Sequence, residues 1–155
     1  MSLYKNKIIN YLIKNNITIS TGESCTGGLL SYSFVKHKGT SKIYKTGLIC
    51  YSNSSKIKKL NVYKKNIEKY GAVSFEVAKQ MTINLAKIEK TNLSIITTGI
   101  AGPTGGSKNK PVGLVYIGFK YNKKLLIFKK KFSGTRIQIQ KKTVNFIFKK
   151  IKELV

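Results

Sequence analysis

The 155 residues of this chain include 30 Lys and Arg, five Glu, no Asp and one His, for a formal charge of +25; 41% of residues are hydrophobic, 10% aromatic, and two are Pro. A chain of this size buries roughly 68–70% of its unfolded surface without a disulfide or metal staple, so one folded domain over residues 1–155 is expected rather than a disordered chain. The missing Asp and the single His37 exclude a carboxylate-rich Mg or Ca site, a His-rich zinc site and the commonest Ser-His-Asp triad, leaving Ser, Thr, Tyr, Lys, Glu and backbone amides for any chemistry.

Ser2 is a candidate cap for a first helix, in which Leu3, Ile8, Ile9, Leu12 and Ile13 recur at helical spacing before Asn15 and Asn16. Ile17 to Ser20 reads as a short strand running into the turn Thr21-Gly22-Glu23-Ser24-Cys25-Thr26-Gly27-Gly28, and Leu29, Leu30, Phe34 and Val35 open a second helix. That order puts the turn amides at a helix N-terminus, where anions are stabilised. Ile43 to Tyr51 predicts a second strand, Ser52 to Ser55 cap a short helix with Lys56, Ile57 and Leu60, and Tyr70-Gly71 breaks the next helix. Ser74 caps a longer one with Val77, Ala78, Met81, Leu85, Ala86 and Ile88 on one face.

Leu93 to Thr98 is a β-prone run ending in the glycine-rich stretch from Gly99 to Ser107. Val112 to Phe119 and Leu125 to Phe132 predict two more strands joined by a hairpin at 121–124, and Thr135 onward returns to helical spacing through Ile139, Val144, Ile147, Phe148 and Ile151. Helices interleaved with strands, with one late hairpin, predict an α/β sandwich with a mixed sheet.

Nucleic-acid readers lean on Arg for its bidentate fork. With 29 Lys to one Arg, the charge reads instead as a solvated surface that steers a phosphorylated ligand; nucleic acid is not the expected partner. Cys25 and Cys50 form no CxxC pair and are expected as reduced thiols. No apolar run approaches the ~18 residues of a membrane span, so no membrane association and a cytoplasmic location are expected.

The chemically interesting positions Ser24, Tyr51, Lys56 and Thr98 all fall where a predicted strand gives way to a turn or loop. Open α/β sheets bind ligands outside the carboxyl ends of their strands, so these positions are expected to converge. Six blocks then carry a resemblance: Glu-Ser-Cys-Thr-Gly-Gly at 23–28, Tyr-Ser-Asn-Ser-Ser-Lys at 51–56, Gly-Ala-Val-Ser at 71–74, Thr-Gly-Ile-Ala-Gly-Pro-Thr-Gly-Gly-Ser at 98–107, Lys-Pro-Val-Gly at 110–113 and Phe-Ser-Gly-Thr-Arg at 132–136. In this order they resemble the CinA C-terminal domain family, which includes competence/damage-inducible proteins and stand-alone nicotinamide-nucleotide amidases.

The resemblance implies a three-layer α/β/α sandwich and hydrolysis of nicotinamide mononucleotide to nicotinate mononucleotide and ammonia, in pyridine nucleotide (NAD) recycling, with no cofactor or metal. It also implies roles. Ser24 matches the nucleophile, Lys56 its base, Tyr51 a supporting hydroxyl, Thr98 the hydroxyl beside the glycine loop, and Arg136 a group for the substrate's anionic part. Glu23, Thr26, Gly27, Gly28, Gly99, Gly105 and Gly106 are expected to contact substrate, although Glu23 reads equally as an orienting group or a helix-dipole partner.

A Ser-Lys pair works only with a neutral amine, and desolvation together with the nearby cations Lys58 and Lys59 is expected to depress Lys56. The chain departs from the family pattern at Thr135, Gln140 and Phe75, where the family commonly has a carboxylate, a second arginine and a carboxylate, so substrate affinity is where a difference is expected. Larger family members carry an additional N-terminal domain; the expectation here is the stand-alone amidase, and a homodimer is expected only because closed dimers are the commonest assembly. The alternative is a degenerate member whose lysine surface binds nucleic acid with steep salt dependence.

Overall fold

A computed structural model describes residues 3–155; the expected cap at Ser2 lies outside them. The elements run α1 (Leu3–Lys14), β1 (Ile19–Glu23), α2 (Leu29–Val35), a 3-10 turn (Thr40–Lys42), β2 (Tyr44–Ile49), α3 (Asn53–Leu60), α4 (Lys64–Tyr70), α5 (Phe75–Glu89), β3 (Leu93–Gly99), β4 (Leu114–Tyr121), β5 (Lys124–Lys131) and α6 (Arg136–Leu154). The sheet order is β2-β1-β3-β4-β5. β1 is parallel to both β2 and β3, and the β3-β4-β5 pairings are antiparallel.

Two apolar cores sandwich the sheet. Ile9, Leu12, Leu30, Phe34, Ile147 and Phe148 of α1, α2 and α6 pack on one face against Ile19, Ile95, Ile117 and Phe119. Leu60, Ile67, Val77, Met81 and Leu85 of α3, α4 and α5 pack on the other against Ile96. Alternation along β3, Ile95 to one face and Ile96 to the other, follows from the two-residue period of a strand. The α/β/α sandwich with a mixed sheet is therefore the observed architecture.

Several boundaries differ from the sequence reading. β1 continues through Thr21, Gly22 and Glu23, which read as turn. These residues lie in the middle of the sheet because every polar side chain has a partner: Ser20 bonds Thr91 and Ser94, and Thr21 bonds Ser31 and Tyr44. Gly22 leaves room for a neighbour, since a Cβ there would meet Ile96 Cγ2 at 3.2 Å. α3 starts at Asn53 because the Ser52 hydroxyl accepts the Ser55 amide at 3.0 Å. β4 starts at Leu114, since Gly113 at φ 89° takes the chain out of extended geometry. On α5, Ile88 is exposed and the buried stripe takes in Thr82 instead.

Candidate active site

Because β1, β2 and β3 are parallel, their carboxyl ends lie on one side of the molecule. Ser24 follows β1 directly, Tyr51 follows β2 by two residues, and Thr98 is the penultimate residue of β3. Ser52 then turns the chain into α3 and sets Lys56 in its first turn. Lys56 Nζ donates to Ser24 Oγ at 3.0 Å, to the Cys50 carbonyl at 2.9 Å and to the Tyr51 carbonyl at 3.2 Å. Lys56 is only 2% exposed and Ser24 7%.

Burial holds the Lys56 ammonium below its usual range, and the thiols of Cys50 and Cys25 push weakly the other way. The expected contribution of Lys58 and Lys59 is corrected: both are exposed, and the depression comes from desolvation. No carboxylate compensates Lys56, since the ion pairs among the described residues, Lys64–Glu68 and Lys150–Glu153, lie elsewhere. Its partners are all uncharged oxygens. The adjacent Cys25 thiol is pushed up to about 12, chiefly by burial, and so stays protonated at neutral pH.

The turn from Ser24 to Gly28 is fixed by its own amides. Ser24 N donates to Thr97 O at 3.0 Å, Gly27 N to Ser24 O at 3.1 Å and Gly28 N to Glu23 Oε2 at 3.1 Å. Glu23 is fully buried and also accepts from the amides of Leu30 (3.0 Å) and Ser31 (2.7 Å) and from the Ser31 hydroxyl. Glu23 therefore occupies the positive end of α2 itself. The α2 N-terminus is therefore not open to a substrate anion, which corrects that expectation, and of the readings left open for Glu23 the structure shows the one in which it holds the turn and the helix end, away from the cavity lining.

A cavity of about 260 Å³ opens over the pair, lined by Ser24, Tyr51, Lys56, Thr98, Gly99 and Arg136, all expected from sequence, and by Cys25, Asn53, Ala72, Val73 and Ala101. Asn53, Ala72 and Val73 belong to blocks that carried the resemblance, so a signal for them was present. Thr26, Gly27, Gly28, Gly105 and Gly106, expected as substrate contacts, do not line it. Thr26 is buried with its hydroxyl 2.8 Å from that of Thr97, and Gly105 and Gly106 lie in the exposed part of their loop. A second cavity of about 280 Å³ lies between α1 and the end of α6, with Tyr4, Ile8 and Tyr11 in its wall.

Two hydroxyls act differently from expectation. Thr98 Oγ1 donates to Ala72 O at 2.8 Å, so it ties down the 71–74 segment. The Tyr51 hydroxyl accepts from Arg136 Nη2 at 3.0 Å, and the contribution of Tyr51 to Lys56 comes from its backbone carbonyl. Arg136 Nη1 also donates to Gly102 O at 2.9 Å. Of the departures from the family pattern, Thr135 caps α6 in a reciprocal box with Gln138, and Gln140 Nε2 donates to Cys25 O at 2.8 Å.

Among the described residues, no helix is long and apolar enough to cross a membrane. A family model for the CinA C-terminal domain matches residues 2–155. A competence-damage inducible protein of Clostridium botulinum (strain Langeland) is 50% identical over 137 residues, covering 88% of this chain and 34% of that protein. The protein of the same name from Thermoanaerobacter pseudethanolicus is 47% identical, covering 88% and 33%. The chain thus spans about a third of the length of the curated relatives it matches.

Among solved structures, a competence/damage inducible protein from Agrobacterium tumefaciens superposes with TM-score 0.93 at 32% identity, over 99% of each chain. A CinA-superfamily protein from Escherichia coli superposes with TM-score 0.92 at 28% identity, over 98% of this chain and 88% of that one. With the family match running from residue 2 to residue 155 and the fold shared almost from end to end, this chain belongs to the CinA C-terminal domain family.

Proposed function

We propose that this chain is a Ser-Lys amidohydrolase that converts nicotinamide mononucleotide to nicotinate mononucleotide and ammonia, a step in pyridine nucleotide recycling. The observation that carries the reading is the buried Lys56 Nζ at 3.0 Å from Ser24 Oγ, with no carboxylate to keep it charged. A neutral amine there uses its two N–H bonds on the carbonyls of Cys50 and Tyr51 and turns its lone pair to the serine hydroxyl.

Ser24 Oγ attacks the carboxamide carbon while its proton passes to Lys56 Nζ. Collapse of the tetrahedral intermediate breaks the carbon–nitrogen bond, and the same proton goes to the leaving nitrogen, which departs as ammonia. Water then attacks the Ser24 ester, again delivering its proton through Lys56, and releases the carboxylate. The amides of Ser24, Gly27 and Gly28 are already spent on Thr97, Ser24 and Glu23, which leaves Cys25 as the cavity-lining residue of 24–28 to donate to the oxyanion.

The cavity, about 260 Å³, is just below the range of roughly 300–1,000 Å³ common for ligand pockets, a size for the pyridine carboxamide with the phosphate outside. Exposed Arg136 at its rim is the charge for that anion. The test is ammonia release from nicotinamide mononucleotide by the purified chain, with Ser24→Ala and Lys56→Met alongside. Loss on the order of 10⁴-fold or more in both variants is expected for groups that act as one unit. Unchanged turnover in either variant removes the mechanism.

A further inference from the structure

Strand β3 runs two residues beyond its last pairing with β1, that of Glu23 with Thr97. Ser24 N still takes Thr97 O at 3.0 Å, so the carbonyl of Thr97 faces the β1 side. The next rung of a parallel ladder would carry the Gly99 amide to the Ser24 carbonyl, but that carbonyl accepts from Gly27 N at 3.1 Å instead. On its other side Gly99 lies opposite Val115, and the following residue, Ile100, donates to Leu114 O at 2.9 Å. Bonded and non-bonded pairs alternate along an antiparallel ladder, so Gly99–Val115 is a non-bonded pair and the Gly99 N–H faces away from β4. Both neighbours give one direction: the Gly99 N–H points past the end of β1, and among the described residues no acceptor takes it. Gly99 is half-buried and lines the cavity with Ser24, Cys25 and Lys56. An open amide in such a place is satisfied when an oxygen is brought to it.

We propose that the Gly99 N–H is a catalytic donor to the oxyanion, acting with the Cys25 N–H from the neighbouring strand end. The inference rests on the reading of Ser24 as a nucleophile. As Ser24 Oγ bonds to the carboxamide carbon, the carbonyl electron pair moves onto oxygen and the serine proton passes to Lys56 Nζ; the two amides donate to that oxygen. Packing holds the Gly99 amide in place without a hydrogen bond of its own, because β4 presses on the α-carbon: an added Cβ would meet Leu114 O at 2.7 Å and Val115 Cα at 2.9 Å.

A side chain at position 99 would disturb β4, so the first experiment leaves the residue unchanged. The full chain, labelled with ¹⁵N-glycine, is titrated with pyridine-3-boronic acid, in which boron stands where the carboxamide carbon would be. Ser24 Oγ bonds to boron, its proton passes to Lys56 Nζ, and the tetrahedral adduct carries one negative charge, as the reaction intermediate does. Of the 13 glycine amides, that of Gly99 is expected to move furthest downfield, while Gly27 and Gly28 stay nearly still because their bonds are already made. Ser24→Ala abolishes the shift. The second experiment replaces the Gly99 amide by an ester in a chain assembled from synthetic segments. Turnover of nicotinamide mononucleotide and labelling of Ser24 by a fluorophosphonate are both expected to fall roughly 10²–10³-fold, the loss typical of one oxyanion donor. The thermal midpoint stays put, since no bond within the fold uses that N–H.

An adduct at Ser24 that leaves the Gly99 amide unmoved, or an ester variant that labels at the parent's rate, overturns the proposal. If the adduct forms and moves Gly99 while nicotinamide mononucleotide stays intact, the substrate reading falls and the donor role stands. If the parent forms no adduct and takes no label, the nucleophile reading and the donor role fall together.

Discussion

Two glycine-bearing segments, 24–28 and 99–107, follow neighbouring parallel strands and look alike in sequence, yet they are built in opposite ways. Ser24, Cys25 and Thr26 are buried, and their turn is tied to Thr97, Glu23 and Gln140. In the second segment Ala101 and Gly102 are buried but residues 103–107 are exposed, and contacts to Arg136, Gly113 and Lys110 hold it mainly near its ends. Glycine content alone does not distinguish a tightly held interior turn from a surface loop; the number of buried polar partners does. The first is held along its whole length, whereas only the start of the second, Gly99 to Gly102, is anchored beside the cavity.

The contrast is sharpest at Glu23. Glu23→Ala leaves the amides of Gly28, Leu30 and Ser31 without their acceptor in the interior. It should destabilise the fold by about 3 kcal/mol or more, given roughly 1.5–3 kcal/mol for a hydrogen bond to a charged group. Urea denaturation checks this, and a loss below about 1 kcal/mol would mean that the turn is held by its other ties.

An intermediate effect is expected from pH at Lys56. Its folded-state pKa lies below the ordinary 10.5, so between the folded and unfolded values the unfolded chain binds the extra proton, and stability contributed by this group rises with pH through that window. Lys56→Met should flatten the rise relative to the parent in denaturation at stepped alkaline pH. The same depression places the rising limb of kcat/KM below pH 10.5, and a limb at or above 10.5 would contradict a desolvated base.

The smallest effect belongs to the exposed loop. Gly105 has φ 84°, and an added Cβ would find Ile100 Cγ2 no nearer than 3.8 Å. Gly105→Ala should therefore cost only the left-handed backbone penalty, about 1–2 kcal/mol, with kcat within about twofold of the parent, since RT is about 0.6 kcal/mol and no site contact changes. A large loss of kcat would promote this loop to the standing of the first turn.

Much of the scaffold was legible. The apolar periodicity of residues 3–13 and 139–151, the cap at Ser74 and the β-prone run at 93–98 each specified an element found in the fold. The extension of β1 through Thr21-Gly22-Glu23 was not, because polar residues enter the middle of a sheet only when partners such as Ser31, Tyr44 and Gly28 arrive from elsewhere in the chain. The approach of Ser24 and Lys56 followed from strand-end logic, whereas the hydrogen bond of Gln140 had no local sign, since its acceptor is a backbone carbonyl 115 residues away.

The amino-acid sequence determined which segments become helix, strand and tight turn, since periodicity, capping hydroxyls and glycine act over a few residues. Tertiary structure alone decided which of those groups lose contact with water. Of 29 near-identical lysines, Lys56 is packed to 2% exposure against two carbonyls and a serine. Desolvation by residues distant in sequence, which no local pattern encodes, is what makes its amine different from the rest.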